Sequence, residues 1–450
     1  LVNQHIWRPL ALAACLGITA AGCSDGGDSS DPSESGGGGT GDTGVPGGGV
    51  VPPLGGATAG GHGGSGGHGP EWDAGTGGGG GGGAAGGGAG APEFVVETLL
   101  QEAVVLNAGI TDDLRFTVPE DAVGLSIFAV GETTGMYVVE HLEDPTGEAI
   151  VTENPPGGIS QSDRFLSPWP GQFRSPNRAT ATEAMATLLV PNNPEITLMP
   201  GEWTLRIAGA NSSSGRPMNG ALPLTIRVKR AAKAPARGVL KLNLYFTGAR
   251  GWSAATAPED PDFRATLFRM GSFYGEIGIE VQAASYHDID PDFRVIDSFQ
   301  GEPNNELSRL FGSATTDEGV NLFFVDRFAG QQGGSIGGIA GAIPGPSGPG
   351  LGSTTRSGVC VATSIDPNPL GIGHIMGHET GHFLGLFHTS ELFVPGVNDP
   401  IPDTPTGQAG AVNLMFPTVT TAPAHMTPQQ GIIVRGNPTI FTSMSEGANP

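Results

Sequence analysis

Residues 378–388 read His-Glu-Thr-Gly-His-Phe-Leu-Gly-Leu-Phe-His, which fills every fixed position of H-E-x-x-H-x-x-G-x-x-H. On a helix, His378 and His382 stand four residues apart on one face, so both imidazoles can reach one ion. Glu379 falls beside that ion rather than on it, where it can take a proton from a water activated by the metal. Gly385 lets the chain leave the helix in a sharp turn. The turn brings His388 round as a third ligand. Three neutral nitrogens leave one coordination position open, the pattern of a catalytic rather than a structural zinc. Average residue frequencies produce H-E-x-x-H in roughly one chain in a hundred of this length, and the added Gly and His lower that by about a thousandfold. Surface histidines on an ordinary helix are therefore a poor account of the stretch.

Such a site needs a helix at about 370–384 and a layer to carry it. Strand-like runs occur at Val239–Phe246, Gly278–Ser285, Val320–Val325, Ile336–Ile343 and Gly358–Ala362. Between the first two, Phe263, Leu267, Met270 and Tyr274 have helical spacing. This strand and helix alternation over residues 238–450 predicts an α/β (α+β) layer with the active helix packed beneath a twisted sheet. Residues 93–230 read differently. Short apolar or alternating runs at Leu114–Val118, Gly124–Val130, Met136–Glu140, Glu202–Ile207 and Leu222–Val228 are separated by turn clusters, with no long helical period. That predicts an all-β sandwich, an accessory domain without a catalytic cluster. Residues 231–237 read as a short basic Ala/Pro linker.

Glycine is the outlier of composition, with 77 residues, 30 of them between positions 36 and 90. Residues 24–92 are Ser, Asp, Gly and Pro, cannot bury a core, and read as a disordered linker. Before it, Arg8, an apolar run and Ala20-Ala21-Gly22-Cys23 make a secretory signal over residues 1–23. The small residues before Cys23 resemble a bacterial lipobox, which implies a diacylglycerol anchor on Cys23. The expected location is extracytoplasmic, as a cell-envelope lipoprotein or otherwise a secreted protein. The formal charge of −23 argues against nucleic acid as a partner. Cys360, in Gly-Val-Cys-Val-Ala, reads as a packed core thiol.

The residues from about 238 to 436 resemble a metzincin zinc peptidase of the pappalysin-like group. His388 is followed by Thr389, as is typical there. Asp399-Pro-Ile-Pro-Asp403-Thr404-Pro405 resembles the group's Asp-x-x-x-Asp-Thr-Pro segment, and Asn413-Leu414-Met415 its Asn-x-Met turn below the metal. Thr427-Pro-Gln-Gln430 resembles the start of its last helix, and Gly338–Pro344 the edge strand along which substrates lie. The resemblance implies His378, His382 and His388 as ligands of one catalytic Zn2+, Glu379 as base and Met415 as an apolar floor. It also makes Asp399 and Asp403 candidates for Ca2+. One departure bears on rate: the group often has Tyr two residues after the Met, and Pro417 stands here. His374, one turn before His378, is too far along the axis to share the ion with His382 and reads as a supporting or surface residue.

The expected activity is hydrolysis of protein or peptide substrates. The rival of a different class is a non-catalytic surface binding lipoprotein, its sandwich active and its protease domain a relic; the intact Glu379 speaks against it. A zinc hydrolase acting on something other than peptide is the second rival.

Overall fold

Two strand-rich halves follow one another, and the pattern of apolar residues decides which faces they bury. The computed structural model describes residues 94–152, 175–299, 304–330, 333–391, 396–418 and 423–442. The signal segment with Cys23 and the Gly-rich tract 24–92 lie outside the described residues.

The first half holds β1 (Val95–Leu106), β2 (Leu114–Val118), β3 (Ala122–Val130), β4 (Gly135–Glu143), β5 (Ala149–Val151), β6 (Thr182–Glu183), β7 (Met185–Val190), β8 (Gly201–Asn211) and β9 (Gly220–Arg230). They form two antiparallel sheets, ordered β1-β9-β3-β7 and β2-β8-β4-β5, with β6 added on β4. In β8 the two-residue period buries Trp203, Leu205 and Ile207, while Glu202, Thr204 and Arg206 lie more open. Trp203, Leu205 and Ile207 meet Phe116, Val139 and Leu142 of their own sheet, and Ile127, Leu188 and Ile226 of the other, in one apolar core. Each such side chain contributes about 1.5–3 kcal/mol on burial. The Trp203 indole N–H donates to Met199 O at 2.8 Å, so this buried donor is satisfied.

The second half begins with β10 (Gly238–Phe246), α1 (Pro261–Glu276), β11 (Ile279–Asp288), β12 (Val295–Ile296), α2 (Glu306–Gly312), β13 (Val320–Val325) and β14 (Arg327–Phe328). It continues with β15 (Gly338–Ala340), β16 (Val359–Ala362), α3 (Pro369–Phe383) and α4 (Pro428–Gly436). The main sheet runs β11-β10-β13-β16-β15, parallel throughout except for β15. Every residue of β13 is buried, as a parallel strand covered on both faces must be. Leu242, Leu244, Leu322, Phe324, Val359 and Val361 point to one face, against Phe263, Met270 and Phe273 of α1 and Ile375, Met376 and Phe383 of α3. Tyr245, Phe323, Val325 and Cys360 point to the other, against Leu307, Leu310 and Phe311 of α2. The sheet therefore carries helices on both faces, with α3, which bears His378, Glu379 and His382, on one. The Asp260 carboxylate accepts from Phe263 N at 2.9 Å and starts α1 as an N-cap. From the end of α1, Tyr274 donates its hydroxyl to Gly377 O of α3 at 3.0 Å.

The halves touch directly. Leu189 of β7 belongs to the apolar cluster of the second half. Thr187 Oγ1 donates to Ile343 O at 3.3 Å, Arg227 to Ser347 O at 2.6 Å and Lys229 Nζ to Arg435 O at 2.8 Å. Residues 336–348 are buried throughout.

Candidate metal centre

The active helix starts where Asn368 Oδ1 accepts from Leu370 N at 3.0 Å, with Pro369 in the first turn. It ends in a paired lock: Leu386 N donates to Gly381 O and Gly385 N to His382 O, both at 2.9 Å. That lock requires the residue after the C-cap to be left-handed, and Gly385 has φ +99°. The chain then doubles back, and Leu386 and His388 pass close to the helix they have just left.

Each imidazole is held by its own acceptor, and the turn supplies that of His382. His378 Nδ1 lies 2.7 Å from Leu414 O, and His382 Nδ1 lies 2.8 Å from Leu386 O. A carbonyl only accepts, so both Nδ1 atoms carry the proton and both Nε2 atoms present lone pairs. His388 Nδ1 lies 3.2 Å from Glu391 Oε2. Burial opposes ionisation of Glu391, but His388 and Arg178 outweigh it and hold the carboxylate at about 2. His388 is therefore a donor at Nδ1 as well. Burial, then the neighbouring imidazoles, push His378 well below its ordinary value; burial and His388 push His382 down to about 3. Neutral imidazole is the ligating form.

The three ligand nitrogens lie within 4.8 Å of one another, the one such group among the described residues. His382 Nε2 and His388 Nε2 are 3.1 Å apart. That spacing suits two lone-pair nitrogens turned to one shared cation. Two nitrogens about 2.0–2.1 Å from one tetrahedral zinc stand about 3.3 Å apart. His378 Nε2 is buried with no hydrogen-bond partner. The donor set thus fits a zinc ion.

Glu379 is 1% exposed, and its Oε2 accepts from Ala340 N of β15 at 3.0 Å. Gly337 O accepts from Ala362 N of β16 and Gly341 N donates to Gly358 O just before it, so Ala340 N faces the opposite way, toward α3. Met415 is fully buried, and a Cβ on Gly381 would lie 2.5 Å from its sulfur. That glycine, inside H-E-x-x-H, is what admits the methionine beneath the helix. The turn is pinned from two sides. Met415 N donates to Asn413 Oδ1 at 2.9 Å, and Thr389 N donates to Met415 O at 3.0 Å. Asn413 and Gln430 exchange two side-chain amide bonds of 3.0 Å each. Gln430 also closes a capping box with Thr427 at the start of α4.

Asp399 and Asp403 have separate tasks. Asp399 Oδ1 accepts from Thr404 Oγ1 at 2.5 Å and Ile401 N at 3.3 Å, and burial raises its carboxyl to about 7. Asp403 Oδ2 accepts from Gln429 N at 3.1 Å, at the start of α4. The two join no third His, Cys, Asp or Glu among the described residues. His374 is not on the surface; it is buried with its ring centroid 5.3 Å from that of Phe273. Cys360 is fully buried, which raises its thiol well above the ordinary value.

Two residues of this centre escape sequence reasoning. Glu391 closes on His388, and Arg178 donates through Nη2 to Glu391 Oε1 at 2.6 Å from a position 213 residues away. Glu391, three residues after His388, was within reach of a search for acceptors next to ligands; Arg178 carried no local signal.

With this geometry in place, known proteins give a comparison. No family model matches the sequence. Over 100 residues the chain is 31% identical to an extracellular metalloprotease of Podospora anserina. That stretch is 21% of this chain and 32% of the relative, so the chain spans about a third of the curated protein it matches. The solved metalloproteinase-II of Bacteroides fragilis matches 50% of this chain and 63% of its own, at 12% identity and a TM-score of 0.27. So slight a likeness carries no argument about fold. Among the described residues no helix is long and apolar enough to cross a membrane.

Proposed function

We propose that this chain is a zinc-dependent endopeptidase of the pappalysin-like metzincin kind, acting outside the cytoplasm on protein or peptide substrates. The observation that carries the reading is the convergence of three imidazoles, each with its Nδ1 against an acceptor and its Nε2 turned to a shared point, beside Glu379. The likeness to an extracellular metalloprotease also supports it.

His378, His382 and His388 would hold the ion. When bound, zinc supplies Lewis acidity, which polarises a scissile carbonyl and lowers the pKa of water. The chain's own residues do the rest. Glu379 accepts the Ala340 N–H on one oxygen, a bond that fixes its direction. As a carboxylate it is the base that takes a proton from water and returns it to the leaving amine. The resemblance would put substrate backbone along β15. In this structure that edge is buried and its outward Ala340 N–H is held by Glu379, so substrate would first have to displace what covers it. Met415 gives the imidazoles an apolar, polarizable floor. Pro417 leaves the oxyanion without the group's usual tyrosine, and we expect a modest rate for that reason. Asp399 and Asp403 remain candidates for Ca2+, and Cys23 for the lipid anchor. Detergent-phase partition lost on Cys23→Ala tests the anchor.

Cleavage of an unfolded protein substrate by the full chain should stop when the zinc is chelated and return when zinc is restored. Cleavage that persists with zinc removed would overturn the reading.

A further inference from the structure

The three ligands are not oriented alike. His378 and His382 each donate to a backbone carbonyl of the second half, Leu414 O and Leu386 O. His388 donates to a side chain, the carboxylate of Glu391. A side chain can swing, so something must hold it. One Glu391 oxygen takes His388 Nδ1, and the other takes Arg178 Nη2. Arg178 lies in the strand-rich first half, between β5 and β6, and its side chain is 1% exposed. Asn192 holds its backbone from both sides: Arg178 N donates to Asn192 Oδ1 at 2.9 Å, and Asn192 Nδ2 donates to Arg178 O at 2.6 Å. Asn192 N in turn donates to Asn177 Oδ1 at 2.9 Å. The guanidinium lies 4.2 Å from the Phe387 ring centroid, one residue before the ligand it steadies. Its Nη1 reaches Asn398 O at 3.5 Å.

We infer that Arg178 is a positioning residue of the metal centre, acting through Glu391 on His388, so that the β-sandwich completes the zinc site of the α/β half. The inference rests on the zinc-peptidase reading. Physical chemistry favours a positioning role over a merely cohesive one. A buried ion pair gains little net stability, but the loss of one partner leaves the other charge uncompensated. Without Arg178, Glu391 would turn to whatever cation or water it could reach, and His388 would lose its fixed ring. Outer partners of metal-bound histidines typically matter by about 10–100-fold in metal affinity or activity. The sandwich would then be required for a competent site and would not act only as a spacer.

The test is zinc affinity of the full-length chain, by competition with a chromophoric chelator, for wild type, Arg178→Met, Glu391→Gln and the double variant. Arg227→Met is the control. Arg227 is a buried arginine of the same contact between halves, but it bonds Ser347 O. We expect Arg178→Met to weaken zinc binding by about 10–100-fold, Arg227→Met to leave it within about 3-fold, and the double variant to be no weaker than Glu391→Gln alone. Arg178→Lys, which keeps the charge but not the two-headed reach, should fall between. It carries the test if Arg178→Met does not fold. Unchanged zinc affinity in the Arg178 variants, equal loss in the Arg227 control, or additive loss in the double variant would each overturn the inference. A wild type that binds zinc but cleaves nothing would sink the peptidase reading and leave this one to the affinity data. A wild type that binds no zinc would sink both.

Discussion

Gly385→Ala strikes the turn that brings the third ligand home, and its cost can be worked from two independent terms. Gly385 has φ +99°, outside the region that L-residues adopt readily. A left-handed backbone costs a non-glycine residue about 1–2 kcal/mol. The new Cβ would also stand 2.5 Å from Leu189 Cδ2 and 3.3 Å from Leu189 Cβ, both in the packed contact between the halves. Forcing an extra methyl into a filled core costs about 1–3 kcal/mol. The sum, about 2–5 kcal/mol, is a large share of a typical stability of about 5–15 kcal/mol. Urea unfolding of zinc-free protein should show this loss, and chelator competition should show weaker zinc, because the strain is relieved by moving residues 385–388. Pairing with Leu189→Ala separates the terms. The steric part should vanish in the double variant and the backbone part should stay, giving an interaction energy of about 1–3 kcal/mol. A Gly385→Ala protein within about 0.5 kcal/mol of wild type, or strictly additive effects, would refute this account of the turn.

Two further substitutions test the loops under the metal. Burial raises the Asp399 carboxyl to about 7, from an ordinary 3.8, so the folded chain holds a proton that the unfolded chain releases earlier. Wild-type stability then falls as pH rises between about 4 and 7 and levels off above. Asp399→Asn should gain on wild type across that window in melting temperature, and a gap independent of pH would contradict the shift. Gln430→Ala removes both amide bonds to Asn413 and the acceptor for Thr427 N. A loss of about 1–3 kcal/mol in urea is expected for stranding the buried Asn413 amide; no measurable loss would mean that the methionine turn stands without α4.

The clustering of the three histidines was legible because helix geometry favours it: four residues make about one turn, and Gly385 supplies a left-handed backbone that returns His388 toward the same point. The continuous run Val320–Val325 was equally plain, since a parallel strand buried on both faces has no polar side to show. β1 was less so. Most of its residues are exposed or half-buried and its register shifts between Thr98 and Leu100, so the alternation that reveals a strand is broken. α2 is only seven residues long, too short for a period to emerge. The edge strand is shorter than the Gly-rich run 336–343 suggests, with only Gly338–Ala340 paired to β16. Thr427 and Gln430 resemble the start of the family's last helix, yet the grip of Gln430 on Asn413 appears only when α4 packs. Arg178 was beyond reach altogether, because a contact spanning 213 residues leaves no trace in local pattern.

The central claim is that Glu379 is a base beside a zinc held by three histidines. It is tested most directly by measuring bound zinc and peptide cleavage on the same samples of full-length wild type and Glu379→Ala. Loss of a general base typically costs about 10²–10⁴-fold in rate. The account predicts one zinc per chain in both proteins and cleavage lower by at least about 100-fold in the variant. A wild type fully loaded with zinc that cleaves a broad peptide library no faster than Glu379→Ala would contradict it.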